Sequence, residues 1–365
     1  MTKKEVKEIV ETIKNIYIPE EFNVTRKNLL STGSTLLNLA CSGNPFGGFL
    51  KGHYYFLVGD SSSGKTFISM TCFAEACHSK NFKDYRLIYD NVEDGCLIDV
   101  PKFFGKETAK KVEPPNIDEE TGKPLYSQKI EDFYYHVDDA IQQDKPFIYV
   151  LDSMDALSSS DEQSKFEEQK KAARSGRETA GSYGDGKAKK NASGMRKLLG
   201  PLSKSGSILI IINQTRDNIG FGFEKKTRSG GHALKFYTTV ELWSSLKGKI
   251  KKTIKEKERQ IGIRALVKVK KNRITGREYT VEMPIYPSYG IDDIESCIDY
   301  LVSEKKWGKK GQKIEAEEFG VVLSKNKLIS YIEENDKERD LQVIVGKTWK
   351  EIEEACDLKR KKRYS

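Results

Sequence analysis

Residues 59 to 66 read Gly59-Asp60-Ser61-Ser62-Ser63-Gly64-Lys65-Thr66, and the apolar run Tyr54-Tyr55-Phe56-Leu57-Val58 leads directly into them. This pairing restricts the chain to folds in which a buried strand stops at a glycine-rich turn and resumes as a helix. Such a turn aims several backbone N–H groups and the positive end of the helix dipole at one point, where a triphosphate can sit. Asp60, Ser61, Ser62 and Ser63 form the body of the loop, and Gly59 and Gly64 permit backbone angles and approaches that a Cβ would block. Lys65 then reaches the β- and γ-phosphates, and Thr66 offers a hydroxyl to Mg²⁺. A chance glycine-serine turn would need all the fixed positions and the strand-helix context to coincide.

The pattern downstream repeats the same unit. A helix is expected over Lys65 to Ser79 and a strand at Arg86-Leu87-Ile88-Tyr89-Asp90. The polar stretch Glu113 to Ser127, with Pro114-Pro115 and Thr121-Gly122-Lys123-Pro124, reads as a surface loop. A helix over Ile130 to Gln142 and a strand at Phe147 to Leu151 follow. Strands alternating with helices imply parallel pairing through crossovers, hence an α/β fold with a mostly parallel sheet between helical layers. Ligands in such sheets bind beyond the carboxyl ends of the strands.

Ser158 to Asn191 interrupts the pattern with Ser, Gly, Glu, Lys and Arg and almost no large apolar residue, and is expected not to fold by itself. Its second half, which includes Lys187, Lys189 and Lys190, is strongly basic. A helix is expected from Ser193 to Lys204, then a buried strand, Ile208 to Ile212, ending at Asn213-Gln214. A second loop, Thr215 to Gly231, carries Arg216, Lys225, Lys226 and Arg228, with Phe221 and Phe223 between them. A strand is expected at Tyr237 to Trp243, and Arg264–Lys270 should pair with Glu278–Ile285 around Thr275-Gly276. Upstream, Val6, Ile9, Val10, Ile13 and Ile16 define an amphipathic helix over Lys3 to Tyr17. The reading divides the chain into an N-terminal assembly segment (1–28), a nucleotide-binding core (29–289) and a small α+β unit (290–365) ending in the basic run Lys359 to Arg363.

The chain has 365 residues and a formal net charge of +9, which favours polyanionic partners without choosing between nucleic acid and an anionic membrane. No apolar run approaches a bilayer span and no signal region is evident at the start, so a cytoplasmic location is expected. The six cysteines lack zinc-ligand spacing and read as packed thiols, with Cys72 and Cys77-His78 on a core helix rather than in a metal cluster.

Asp152 closes an apolar strand, the place for a Mg²⁺-orienting carboxylate; Asp155 would more naturally start a turn. Asp90, Glu93 and Asp94 lie at the end of the second strand, where one of them could orient or deprotonate an attacking water. The bland alternative is an acidic turn that serves only local backbone groups. Gln214 stands where a strand hands over to a basic loop, so its amide could sense the γ-phosphate and pass its state to that loop.

Together these residues resemble the RecA family of ATP-dependent homologous DNA recombinases, from about Leu29 onward. The resemblance is carried by Leu30-Ser31-Thr32-Gly33-Ser34 and Leu151-Asp152-Ser153-Met154-Asp155-Ala156-Leu157. Its narrowest part is Ile211-Ile212-Asn213-Gln214-Thr215-Arg216 followed by Gly230-Gly231-His232-Ala233-Leu234-Lys235-Phe236-Tyr237. It implies a RecA-like core that uses ATP and Mg²⁺ and assembles as a helical filament, or a ring, on single- and double-stranded DNA, aided by single-strand-binding and loading proteins. It implies first and second DNA-binding loops near 158–190 and 215–229. Phe221 and Phe223 would pack against bases in that arrangement, or simply anchor the loop. Lys271 and Arg273 are implied to reach a neighbouring subunit's nucleotide, with Lys235 and Phe236 at the same interface; residue pattern alone would make the two cations a solvated hairpin end. Three departures from the family's pattern imply a divergent member, of the kind a bacteriophage encodes, acting in its host's cytoplasm. The carboxylate motif has an extra residue, which favours Glu93 with Asp94 as competitor, the first loop is long, and the tail is basic. A ring-shaped helicase motor and an ATP-switched, non-catalytic DNA scaffold stay open as alternatives.

Overall fold

A computed structural model describes residues 26–93, 98–175, 186–217, 226–228 and 231–360. The amphipathic segment 3–17, Asp94, Phe221, Phe223, Lys225 and the end of the basic tail lie outside the described residues.

Seven long strands and the helices between them carry the architecture: β1 (Tyr54–Gly59), α1 (Lys65–His78), β2 (Arg86–Asn91), α2 (Ile130–Gln142), β3 (Phe147–Asp152), α3 (Ser160–Arg174), α4 (Gly186–Ser205), β4 (Ile208–Asp217), α5 (His232–Tyr237), β5 (Val240–Ile254), β6 (Lys257–Asn272) and β7 (Thr280–Tyr286). They order in the sheet as β7-β6-β5-β1-β4-β3-β2. β5-β1, β1-β4, β4-β3 and β3-β2 pair in parallel, whereas β5-β6 and β6-β7 pair antiparallel. Short strands at Gly290–Ile291 and Val112–Glu113 close the two edges.

The central strands are uninterrupted apolar runs because both sheet faces are covered. Side-chain alternation sorts them into two layers. Tyr55, Leu57, Leu87, Ile148, Val150, Ile208, Ile210 and Ile212 face α1 through Ile68, Cys72 and Phe73, in a layer that continues into Cys297, Trp307 and Trp349 of the C-terminal elements. Tyr54, Phe56, Ile88, Phe147, Tyr149, Leu151, Leu209 and Ile211 face α2 and α4 through Phe133, Val137, Leu198 and Leu202. The result is the expected three-layer α/β core. Beyond it, three helices, Asp293–Ser303, Lys325–Glu334 and Glu338–Cys356, accompany a three-stranded sheet, Gly308–Lys310, Lys313–Ala316 and Val321–Ser324.

Several elements depart from the sequence expectation. Residues 160–174 of the supposed unfolded segment form α3, and α4 begins at Gly186 rather than Ser193. α3 buries no residue. Its support is local: a capping box in which Glu162 N–H donates to Ser159 Oγ and Ser159 N–H donates to Glu162 Oε2, followed by strong helix formers. β4 runs to Asp217 because its end pairs with Lys226–Arg228. The segment expected as a strand from Tyr237 ends α5, and β5 starts at Val240. The surface loop 113–127 holds a short antiparallel pair, Asn116–Ile117 with Pro124–Leu125. β6 and β7 pair as expected, with Lys268 opposite Thr280 and Ile263 opposite Ile285.

Candidate nucleotide site and DNA-facing surface

The phosphate loop is held from below by backbone. Gly59 pairs with Ser244 on one side and Gln214 on the other, and a Cβ on Gly59 would lie 2.2 Å from Ser244 O. Gly64, at φ +91°, begins α1, and a Cβ there would lie 2.7 Å from Ile285 Cδ1. Ser63 Oγ donates to Asp60 O at 2.8 Å and Ser244 Oγ to Ser63 O at 2.7 Å. Thr215 Oγ1 donates to Asp60 Oδ1. Lys65 Nζ curls over the loop to Gly59 O (2.9 Å) and Asp60 O (2.6 Å). Burial lowers its pKa, opposed by Asp152, Glu93, Asp60 and Asp155 nearby. A phosphate held by the backbone N–H groups of the loop would add a further anionic partner that favours the charged form of Lys65.

Residue parity separates the carboxylates. Asp152 shares a sheet face with Tyr89 and α1; Thr66 Oγ1 donates to its Oδ2 at 2.7 Å and Tyr89 OH at 2.9 Å. Burial raises the Asp152 pKa, and these two hydrogen bonds pull it back. Asp90 faces the other layer. It is fully buried and accepts from Ser127 N–H (2.9 Å), Ser127 Oγ (2.6 Å) and Tyr149 OH (2.7 Å). It therefore cannot meet an attacking water, which removes it from the three carboxylates expected at that strand end. Glu93 is exposed beyond β2, where its Oε1 accepts from Ser153 Oγ and from Gln214 Nε2 at 3.0 Å. The Gln214 N–H donates to Asp155 Oδ2 at 2.5 Å. Asp155 does start a turn, the short 3₁₀ segment Met154–Ala156, yet it also fixes the base of the glutamine. The ends of β1, β4, β3 and β2 thus bring Lys65, Gln214, Asp152 and Glu93 to one edge.

Beside the loop opens a cavity of about 400 Å³, lined by Ser62, Gly64, Thr66, Phe67, Phe103 and Ile285 among others. Sequence reasoning missed this wall. Phe103 lies in a five-residue helix after β2, and Ile285 lies in β7, far away in the chain; only strand order unites them. The residues fit a nucleotide with its cation. Among the described residues no group of three His, Cys, Asp or Glu could hold a metal alone, and Mg²⁺ usually takes one or two protein oxygens with the substrate's phosphates. Thr66 and Asp152 offer two.

Lys271 and Arg273 stand at the other end of the sheet. Lys271 Nζ donates to Lys235 O (2.6 Å) and Phe236 O (2.7 Å), Arg273 Nη2 donates to Phe236 O (2.6 Å), and the Arg273 guanidinium lies 5.8 Å from the Phe236 ring. The cations cap the C-terminal carbonyls of α5. Arg273 N–H bonds Thr239 O, and Thr239 N–H bonds Tyr54 O. Gly59 lies five residues further along β1, about 16 Å at strand rise. The four expected interface residues are therefore together, and remote from their own phosphate loop. Phe236 is 64% exposed.

Of the expected DNA contacts, Lys187, Lys189 and Lys190 lie within the first five residues of α4. Lys190 pairs with Glu131 at 2.9 Å and Lys187 with Glu162 at 3.5 Å, and Lys189 is exposed. Arg216 pairs in register with Thr227, and Arg228 and Lys226 flank it on the opposing strand. The two basic segments converge: Gly231, at φ +80°, sits so close to α4 that a Cβ would lie 2.7 Å from Ala188 Cβ.

A family model described as the RecA N-terminal domain matches residues 149–292. Protein RecA of Cytophaga hutchinsonii is 31% identical over 276 residues, covering 74% of this chain and 67% of that protein. Protein RecA of Chlorobaculum tepidum is 28% identical, covering 84% and 75%, and that of Malacoplasma penetrans 26%, covering 85% and 84%. Among the described residues no helix is long and apolar enough to cross a membrane. With the sheet order, the phosphate loop and these relatives in agreement, the chain belongs to the RecA family of ATP-dependent DNA recombinases.

Proposed function

We propose that this chain hydrolyses ATP at a site completed by a neighbouring copy, and that the nucleotide state controls a filament that pairs single-stranded DNA with a homologous duplex. Lys65 and the N–H groups of residues 60–66 would bind the phosphates, and Thr66 and Asp152 would hold Mg²⁺, which supplies neutralisation of phosphate charge. Glu93 would take the proton from an attacking water, and the amide of Gln214 would orient that water. Because Gln214 and Thr215 continue directly into Arg216 and the second basic segment, loss of the γ-phosphate can be relayed to DNA without a separate transmission element.

The observation that carries this reading is the opposition along the sheet: phosphate loop at the carboxyl end of β1, Lys271 and Arg273 at its amino end. Cations unable to reach their own nucleotide suit a head-to-tail assembly in which each copy completes the next. The basic segments around Lys187, Lys189, Lys190, Arg216, Lys226 and Arg228 supply sequence-independent affinity for DNA phosphates.

Electron microscopy with single-stranded DNA and a slowly hydrolysed ATP analogue, alongside measured phosphate release, tests the proposal. Helical filaments and DNA-stimulated release are expected. Closed rings that unwind duplex without homologous pairing, or filaments without stimulated release, would contradict it.

A further inference from the structure

Different residues of the phosphate loop line two different cavities. Ser62, Ser63, Gly64, Lys65 and Thr66 face the nucleotide cavity. Asp60 lines a second cavity, of about 230 Å³, with Thr215, Trp243, Ser245, Leu266 and Lys268, and no residue borders both. A carboxylate is electrostatically unfavourable in a loop built to hold phosphate. Its place on the other wall points to a different task.

The side chain of Asp60 reaches across to the second basic segment. Thr215 Oγ1 donates to Asp60 Oδ1, joining residues 155 positions apart. Thr215 stands opposite Arg228, and Arg216, the next residue, stands opposite Thr227. Successive residues of a strand point to opposite faces. Gln214 therefore reaches Glu93 on one side, and Thr215 reaches the phosphate loop on the other. The main chain of Asp60 is tied to the lysine that serves the phosphates: its carbonyl accepts from Ser63 Oγ at 2.8 Å and from Lys65 Nζ at 2.6 Å. A bound triphosphate would draw Lys65 Nζ off that carbonyl and bring negative charge near the carboxylate. Both changes fall on the residue that holds Thr215.

We propose that the Asp60 carboxylate and the Thr215 hydroxyl form a clasp through which the phosphate loop itself positions the second basic segment, raising DNA affinity when ATP is bound. Asp60 is thus a positioning residue, and the Gln214 amide carries only part of the coupling. The clasp rests on the ATP-controlled DNA binding proposed above.

The test measures affinity for single-stranded DNA by fluorescence anisotropy, once with a slowly hydrolysed ATP analogue and once with ADP. The ratio of the two affinities is the coupling between the sites. Thr215→Val removes the hydroxyl at nearly constant shape, Thr215→Ser keeps it, and Asp60→Ala removes the acceptor. Thermal melts and binding of a fluorescent ATP analogue monitor folding and the nucleotide site. The ratio should fall about fivefold in Thr215→Val, the lower end of ordinary coupling between sites, and match the parent in Thr215→Ser. Asp60→Ala should lower it as far, with no further loss in the double variant. Should Asp60→Ala not fold, the two Thr215 variants decide alone. A parent-like ratio in Thr215→Val or additive losses in the double variant would overturn the proposal. So would an equal loss of affinity with both nucleotides, which would make Thr215 a plain structural or DNA-contacting residue. A parent chain whose DNA affinity ignores the nucleotide would overturn the functional reading itself.

Discussion

Gln214 Nε2 donates to Glu93 Oε1 across 3.0 Å, and the same glutamine's N–H is anchored on Asp155 at 2.5 Å. The carboxylate proposed to activate water and the residue that opens the second basic segment are therefore one hydrogen-bonded unit. Glu93→Gln should keep nucleotide affinity within a few-fold and lower turnover about 10²- to 10⁴-fold, the usual range for a lost general base. Single-turnover phosphate release beside equilibrium nucleotide binding separates the two effects.

Gln214→Asn shortens the side chain by one methylene and cannot span the gap to Glu93. Its basal turnover should change less than its DNA-stimulated turnover if, as proposed, the amide connects the site to a DNA-contacting segment. Equal losses with and without DNA would make the glutamine a simple site residue.

Gly59→Ala places a Cβ against Ser244 O, a backbone atom of the neighbouring strand that cannot swing away. Overpacking of this kind costs about 1–3 kcal/mol. Urea denaturation should show that loss together with weakened nucleotide binding.

Asp293 gives a pH signature. Its carboxylate accepts from Thr35 N–H and Oγ1, both at 2.7 Å, while burial, opposed by those bonds, pushes its pKa up to about 6. An acid whose pKa is higher folded than unfolded binds its proton more tightly in the folded state. Its contribution is full below about pH 4 and is lost as pH rises towards 6. Asp293→Asn should flatten the stability profile across that window by up to about 3 kcal/mol, the worth of moving that pKa from its ordinary 3.8 to about 6, followed by denaturant midpoints at several pH values.

Neutralising Lys187, Lys189 and Lys190 together should weaken DNA binding and flatten its salt dependence. Lys189 should account for more of the change than its neighbours, whose charges are already paired with Glu162 and Glu131. Salt titrations of the single variants decide this.

The central strands were legible because burial on both faces demands unbroken apolar runs, and the phosphate loop because its chemistry fixes residue types at fixed spacing. Two kinds of feature were not. α3 has no apolar face and forms through its cap and its helix propensity, so a reading based on hydrophobic periodicity passes over it. The hairpin of β5 and β6 turns at Lys255-Glu256, both with positive φ (51° and 62°), where Asn-Gly would have announced the turn. Asp90 and Asp152 look alike in sequence at the ends of their strands. Only pairing register shows that one faces Tyr149 and the interior, the other Thr66 and the phosphate loop. The wall of the nucleotide cavity joins segments nearly two hundred residues apart, which no local pattern encodes.

Complementation in mixed assemblies tests the shared site most directly. Glu93→Gln subunits retain Lys271 and Arg273, while subunits with Lys271→Ala and Arg273→Ala retain an intact phosphate loop and Glu93. Each variant alone on DNA should be nearly inactive. If neighbours complete each other's sites, an equal mixture should recover about a quarter of the parent's ATP turnover, because one interface in four joins two intact halves. A mixture no more active than its components would contradict catalysis across the interface.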